Sequence, residues 1–181
     1  MPDQFKEKRV SMTKIGVYLG KQCDPKKCTA KKLVKFNLAK ELTRPLFHSE
    51  LVLTPTTRRA LSPADRERID RFGIVAIDCS WNKADDFFDK VTISHGRALP
   101  YLIAVNPTNF GRPWKLNTAE ALAAALYIVG LKKEAEEIMD KFKWGEHFFN
   151  VNMSYLEAYA DCKDSQAVVD TQEFFVDTLD R

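Results

Sequence analysis

The stretch "FGIVAIDCSWNKADDFF", residues 72–88, decides how the chain is read. Four apolar residues, Ile74, Val75, Ala76 and Ile77, stop at a carboxylate, Asp78, with Trp81 three positions on. A run of that length and β-branched content predicts a strand buried on both faces. Asp and Ser are also ordinary turn residues, and on these residues alone a turn at the strand end is the simpler reading.

Working outward, three further runs have the same character: "TKIGVYLG" (13–20), "ELVLTP" (50–55) and "ALPYLIAVNP" (98–107). Each closes on Gly, Pro or Asn, as strands do. Between the first two, "TAKKLVKFNLAKEL" sets Leu33, Phe36, Leu38 and Leu42 near helical spacing behind a Thr29 cap. Between the next two, Ser62, Pro63 and Asp65 open a second helix, with a hydroxyl cap, proline in the first turn and an early acid. Alternating strands and helices predict an α/β layer.

Beyond residue 107 the pattern turns helical. Asn117 and Glu120 form a capping-box signature ahead of "TAEALAAALYIV", and Gly130 closes that helix. "KKEAEEIMDKF", "SYLEAYADC" and "QAVVDTQEFFVDTL" continue in the same way. The expected organisation is a polar tail (1–11), an N-terminal α/β domain (12–100) and an all-helical C-terminal domain (101–181).

Composition narrows the function classes. The 181 residues are 45% hydrophobic and 29% charged, and no apolar run approaches the ~20 residues of a membrane helix. The N-terminal residues lack the apolar core of a signal peptide, so a cytoplasmic protein without a membrane partner is expected. Cys23, Cys28, Cys79 and Cys162 do not fall at metal-ligand spacing, and no metal is expected. Residues 14–44 carry nine Lys/Arg against two acids, while the segment from Ser154 onward carries seven acids against two bases. This polarity fits either a polyanion-facing N-terminal half or a solvated helix face.

Chemistry is expected in the loops at strand ends, above all "NPTNFGRPWKLNTAEA", where Asn106, Pro107, Asn109, Gly111 and Pro113 lead into a helix N-terminus. Such a segment offers backbone N–H and C=O groups to a ligand. Gly-rich dinucleotide and P-loop fingerprints are missing from the sequence.

Five motifs occur together and in order: "CDPKKCTAKKL", "LVLTPTT", "VAIDCSWNKAD", "RALPYLIAVNPTNFGRPWKLNTAEALAAALYIVG" and "FKWGEHFFNVNMSYLEAY". The combination resembles the rRNA aminocarboxypropyltransferases of small-subunit ribosome maturation, an archaeal and eukaryotic family similar to SPOUT-type RNA methyltransferases. The resemblance runs from about Lys14 to Tyr159. It implies an α/β fold of SPOUT-like type with a deep trefoil knot where "LIAVNPTNFGRPWKLNTAEA" meets the following helices.

The implied activity is transfer of the 3-amino-3-carboxypropyl group of S-adenosylmethionine (SAM) to N3 of an N1-methylpseudouridine in small-subunit rRNA. The partner would be that rRNA or a pre-ribosomal particle, and the protein a monomer. Two rivals stay open: a SPOUT-like SAM-dependent rRNA methyltransferase, and a non-catalytic rRNA-binding assembly factor.

Matched residue by residue, the resemblance implies Asp78 as the catalytic carboxylate. It implies Thr29, Leu53, Pro55, Ile77, Trp81, Ala84, Leu99, Trp114 and Thr118 around the cofactor. Trp81 and Ala84 would wall the methyl and sulfonium, with Trp81 offering cation–π attraction. Phe110 and Trp114 stand where many relatives carry Tyr, and Asn117 where they carry Ser, so contacts there carry over through the backbone. Lys26, Lys27, Lys31, Lys32, Arg58 and Arg59 are the expected rRNA contacts, since phosphate neutralisation dominates RNA affinity.

Overall fold

The computed structural model describes residues 12–19, 28–44, 46–78 and 91–179. Its strands are β1 (Ile15–Leu19), β2 (Lys40–Leu42), β3 (Leu46–Phe47), β4 (Leu51–Leu53), β5 (Ile74–Asp78), β6 (Thr92–Ile93) and β7 (Gly96–Arg97). Five of them form an all-parallel sheet in the order β2-β1-β5-β4-β7, and β3 pairs with β6 separately. Alternate residues serve opposite faces. Leu51, Leu53, Ile74 and Ala76 join the main core, whereas Val52 and Val75 pack with Phe47 in a second cluster. Both faces are covered, so the strands read as continuous apolar runs.

Six helices appear among the described residues: α1 (Thr29–Lys35), α2 (Arg66–Phe72), α3 (Thr118–Ile128), α4 (Lys132–Met139), α5 (Gly145–Ala160) and α6 (Ser165–Leu179). All but one residue of α3 are buried, as expected of a helix apolar all round. It packs on α1, β5, α4 and α5. Its start is the capping box anticipated from Asn117 and Glu120. Its end is a Schellman turn in which Gly130, at φ 85°, lets Leu131 N–H donate to Leu126 C=O.

Helix α1 stops earlier than its spacing suggested. Asn37 adopts φ 57°, and Asn37 and Leu38 N–H donate back to Val34 and Leu33 C=O. This second Schellman turn frees Lys40–Leu42 to become an edge strand. The N-cap is Cys28 rather than Thr29, its thiol accepting from Lys31 N–H at 3.4 Å. The run 98–107 is not a strand; β7 precedes it, and Ala98 and Ile103 make single bridges to Ala60 and Pro113.

One larger expectation is corrected. The chain is a mixed α/β fold built on a parallel sheet with six helices, and the SPOUT-like reading with a deep trefoil knot is not supported. Buried residues from Ile15 to Val168 form one apolar cluster, so the late helices pack onto the sheet layer. The segment where the knot was expected folds back as a hairpin: Ala104 N–H donates to Arg112 C=O, and Trp114 N–H to Leu102 C=O. Asn152 of α5 clamps this hairpin, accepting from Ile103 N–H at 2.8 Å and donating to Ile103 C=O at 2.9 Å.

Candidate active site

A cavity of about 910 Å³ opens over the carboxyl ends of β4, β5 and β7. The sheet order explains the location. From β1 the chain moves outward to β2, whereas β5 lies on the other side of β1, so the crevice between β1 and β5 is a topological switch point. Asp78 ends β5 there, in register with Leu19.

Among the described residues, side chains from two different elements hold Asp78. The Cys28 thiol donates to Oδ2 at 3.1 Å, and the Thr118 hydroxyl donates to Oδ1 at 3.3 Å. Thr29, beside Cys28, accepts from Ala119 N–H at 3.4 Å. The starts of α1 and α3 are thus joined next to the carboxylate, and the positive ends of both helix dipoles face it.

Residues 106–109 form another wall, and a buried carboxylate holds that loop. Glu120 is fully excluded from solvent. Its Oε1 accepts from Val105 and Asn106 N–H, both at 2.8 Å. Its Oε2 accepts from Asn106 Nδ2 at 2.7 Å and Asn117 N–H at 2.9 Å. Asn106 Oδ1 in turn accepts from Thr108 and Asn109 N–H. Burial pushes the Glu120 pKa up, and the bonds from Asn117, Asn106 and Val105 oppose that push.

Much of the remaining wall is apolar or aromatic, with Leu53, Pro55, Leu99, Phe142 and Trp144 among its residues. Trp114 sits at the mouth with φ 66°, a left-handed conformation that an L side chain adopts at a cost of order 1–3 kcal/mol. It makes an edge-to-face contact with Tyr101, ring centroids 5.4 Å apart.

The structure therefore brings Asp78, Thr29, Leu53, Pro55, Ile77, Leu99, Trp114 and Thr118 around one cavity. Trp81 and Ala84 lie outside the described residues, as do Lys26 and Lys27. Lys32 lines the cavity too, with its ammonium 6.0 Å from the Phe142 ring, while Lys31 is half-buried on α1. Arg58 and Arg59 are exposed on the loop after β4, and Arg59 lines a second, separate cavity. Among the described residues no cluster of His, Cys, Asp and Glu could hold a metal ion, and no helix is long and apolar enough to cross a membrane.

Sequence reasoning missed Cys28 as a partner of Asp78, because a pairing across 50 positions leaves no local pattern. It recognised Glu120 only as a helix cap. The signal for more was a carboxylate inside an otherwise apolar helix, which must find donors if buried.

Comparison with known proteins places this geometry. Residues 51–176 match the family described as "Ribosome biogenesis protein, C-terminal". The 16S rRNA aminocarboxypropyltransferase of Methanocaldococcus jannaschii is 44% identical over 169 residues, 92% of this chain and 98% of that protein. The chain belongs to the rRNA aminocarboxypropyltransferase family.

Other members agree. The 16S enzyme of Methanothermobacter thermautotrophicus is 47% identical over 90% of this chain and 98% of its own length. The 18S rRNA aminocarboxypropyltransferase of Schizosaccharomyces pombe is 40% identical over 87% of this chain, which spans 55% of that longer protein. The solved structure of the SAM-dependent rRNA:acp-transferase Tsr3 from Vulcanisaeta distributa superposes with a TM-score of 0.80 at 38% identity, covering 93% of this chain and 98% of that one. Residues 13–45 also match a "Possible Fer4-like domain in RNase L inhibitor". That segment holds two cysteines, Cys23 and Cys28, and an iron–sulfur cluster needs four thiolates or their equivalents.

Proposed function

We propose that this protein transfers the 3-amino-3-carboxypropyl group of SAM to N3 of an N1-methylpseudouridine in small-subunit rRNA. The observation that carries the reading is convergence: seven residues matched to the family by motif, drawn from α1, β4, β5, α3 and two connecting segments, line one cavity together with Asp78. Its volume, about 910 Å³, lies within the range that encloses a cofactor-sized ligand.

The donor set suits SAM. Apolar walls from Leu53, Pro55 and Leu99 accept the adenosine and the methyl group, and the 105–109 loop offers backbone groups to an adenine edge. The Thr29 hydroxyl and the Lys32 ammonium face the same space and match the charged amino-acid end. Asp78 supplies negative charge for the sulfonium.

In the reaction N3 attacks the methylene carbon bonded to sulfur. The C–S bond breaks with its electrons passing to sulfur, 5′-methylthioadenosine leaves, and the N3 proton goes to solvent. A carboxylate is a weak base for a uracil imide, so Asp78 acts by orienting the acceptor and balancing charge, held by Cys28 and Thr118. Most of the rate advantage then comes from holding two reactants at near-attack distance.

Identifying the co-product tests this reading. The protein is incubated with SAM and hypomodified small-subunit rRNA, and the nucleoside product is separated by chromatography. Methylthioadenosine is expected; S-adenosylhomocysteine would mean methyl transfer and overturn the proposal.

A further inference from the structure

A second cavity, about 410 Å³, lies at the β7 edge of the sheet, away from α1 and β2 at the other edge. Arg59 enters it from the loop after β4, Arg68 and Arg71 from α2, and His95 and Arg97 from the β7 strand and its approach. Two carboxylates also line it, Asp65 and Glu67. Asp65 is already committed: Arg97 Nε and Nη2 donate to its Oδ1 at 2.9 and 2.8 Å in a buried pair, and its Oδ2 accepts from Ser62 N–H. Among the described residues lining the cavity, that leaves three guanidinium groups, Arg59, Arg68 and Arg71, and one further carboxylate, Glu67.

Arg68 and Arg71 are set in place by their surroundings. Arg68 donates to Ser49 C=O at 2.9 Å, and the Arg68 and Arg71 guanidinium carbons lie 5.5 and 5.1 Å from the same Phe72 ring centroid. Two guanidinium groups on one ring concentrate positive charge at this wall of the cavity, a field that favours an anion. His95 in the same cavity has its pKa lowered, by burial first and then by Arg68, Arg97 and Arg59. Guanidinium forks converging on one cavity match the oxygens of a phosphate.

The two cavities are neighbours along the chain. Thr54 and Pro55 line the first and Arg59 the second; Arg97 lines the second and the next residue, Ala98, the first. From this arrangement we infer that the second cavity seats one backbone phosphate of the rRNA, adjacent to the nucleotide that enters the active site, with Arg68 and Arg71 as its principal ligands. The inference rests on the rRNA reading above and specifies where the strand leaves the site. Phosphate contacts of this kind fix register without reading sequence.

The test is the salt dependence of binding to a hypomodified small-subunit rRNA fragment, for wild type, Arg71→Gln and Arg68→Gln/Arg71→Gln. A phosphate that is no longer neutralised takes about 0.7–0.9 off the slope of log affinity against log salt. The double variant is expected to lose roughly one unit of slope and on the order of tenfold in affinity at moderate salt, while its SAM affinity stays at the wild-type value. The exposed Arg71 variant alone, which breaks no hydrogen bond to the fold among those described, should show part of the same effect. Slopes equal to wild type in both variants overturn the inference. Failure of the activity reading is separable: wild-type protein that binds the fragment but releases no methylthioadenosine would refute the reaction and leave the slope comparison intact.

Discussion

Glu120→Gln puts the construction of the active-site wall to a quantitative test. The wild-type carboxylate receives four N–H donors at 2.7–2.9 Å, two on each oxygen. Glutamine keeps the shape but turns one oxygen into an NH₂, so two of those donors face another donor. Each buried donor left unsatisfied costs about 1–3 kcal/mol, or roughly 2–6 kcal/mol for the pair. Relief from burying a charge offsets part of this, which argues for the lower end, about 2–3 kcal/mol. The orphaned groups belong to Val105, Asn106 or Asn117, so the damage is concentrated in the loop and helix start that line the cavity. Urea denaturation should show a lower midpoint at unchanged slope, and calorimetry a SAM dissociation constant raised about tenfold or more, the equivalent of ~1.4 kcal/mol.

The same variant carries a pH signature. Glu120 has its pKa raised in the folded state, so between the unfolded and folded values the native protein binds the extra proton. Stability from this group therefore rises as pH falls through the folded value and is lost again as pH climbs above it. The gap between wild type and the Gln variant should widen on mild acidification. A Gln variant with wild-type midpoint, wild-type SAM affinity and a constant gap across pH would refute the assignment of Glu120 as the loop's anchor.

Two other substitutions probe different links. Asp78→Asn keeps shape and removes charge; single-turnover transfer at saturating RNA and SAM should slow about 10²-fold, with cofactor affinity changed much less, whereas a full-rate variant would return Asp78 to a purely structural role. Gly145→Ala places a Cβ 1.9 Å from Met139 C=O at the start of α5, against backbone that cannot yield cheaply. Thermal unfolding should show a loss at or above the 1–3 kcal/mol typical of overpacking, roughly, and an unshifted midpoint would mean that α5 can slide away.

The parallel sheet core and the helices after residue 107 were legible because they depend on short-range patterns. Ile74–Ile77 is apolar without interruption, Asn117 and Glu120 stand three apart, and Gly130 follows an apolar run. The end of α1 was not legible, since Asn37 takes a left-handed conformation in place of the usual glycine and "AKEL" has good helix propensity on its own. The run 98–107 has strand composition, but Pro100 and Pro107 lack N–H donors, and Glu120 and Asn152 hold its backbone instead of a neighbouring strand. For the site, the motif-matched catalytic and cofactor residues that are described line one cavity, whereas Trp81 and Ala84 lie outside the described residues. The Cys28–Asp78 bond and the four-donor seat of Glu120 arise from tertiary packing that no spacing rule encodes.

The central claim is that the group leaving SAM is the aminocarboxypropyl group. SAM labelled separately in the carboxyl carbon and in the methyl carbon, given in a single turnover to hypomodified small-subunit rRNA, tests it most directly. Carboxyl label is expected in the isolated nucleoside in proportion to enzyme, with the methyl label recovered entirely in methylthioadenosine. Methyl label in the nucleoside, without carboxyl label, would contradict it.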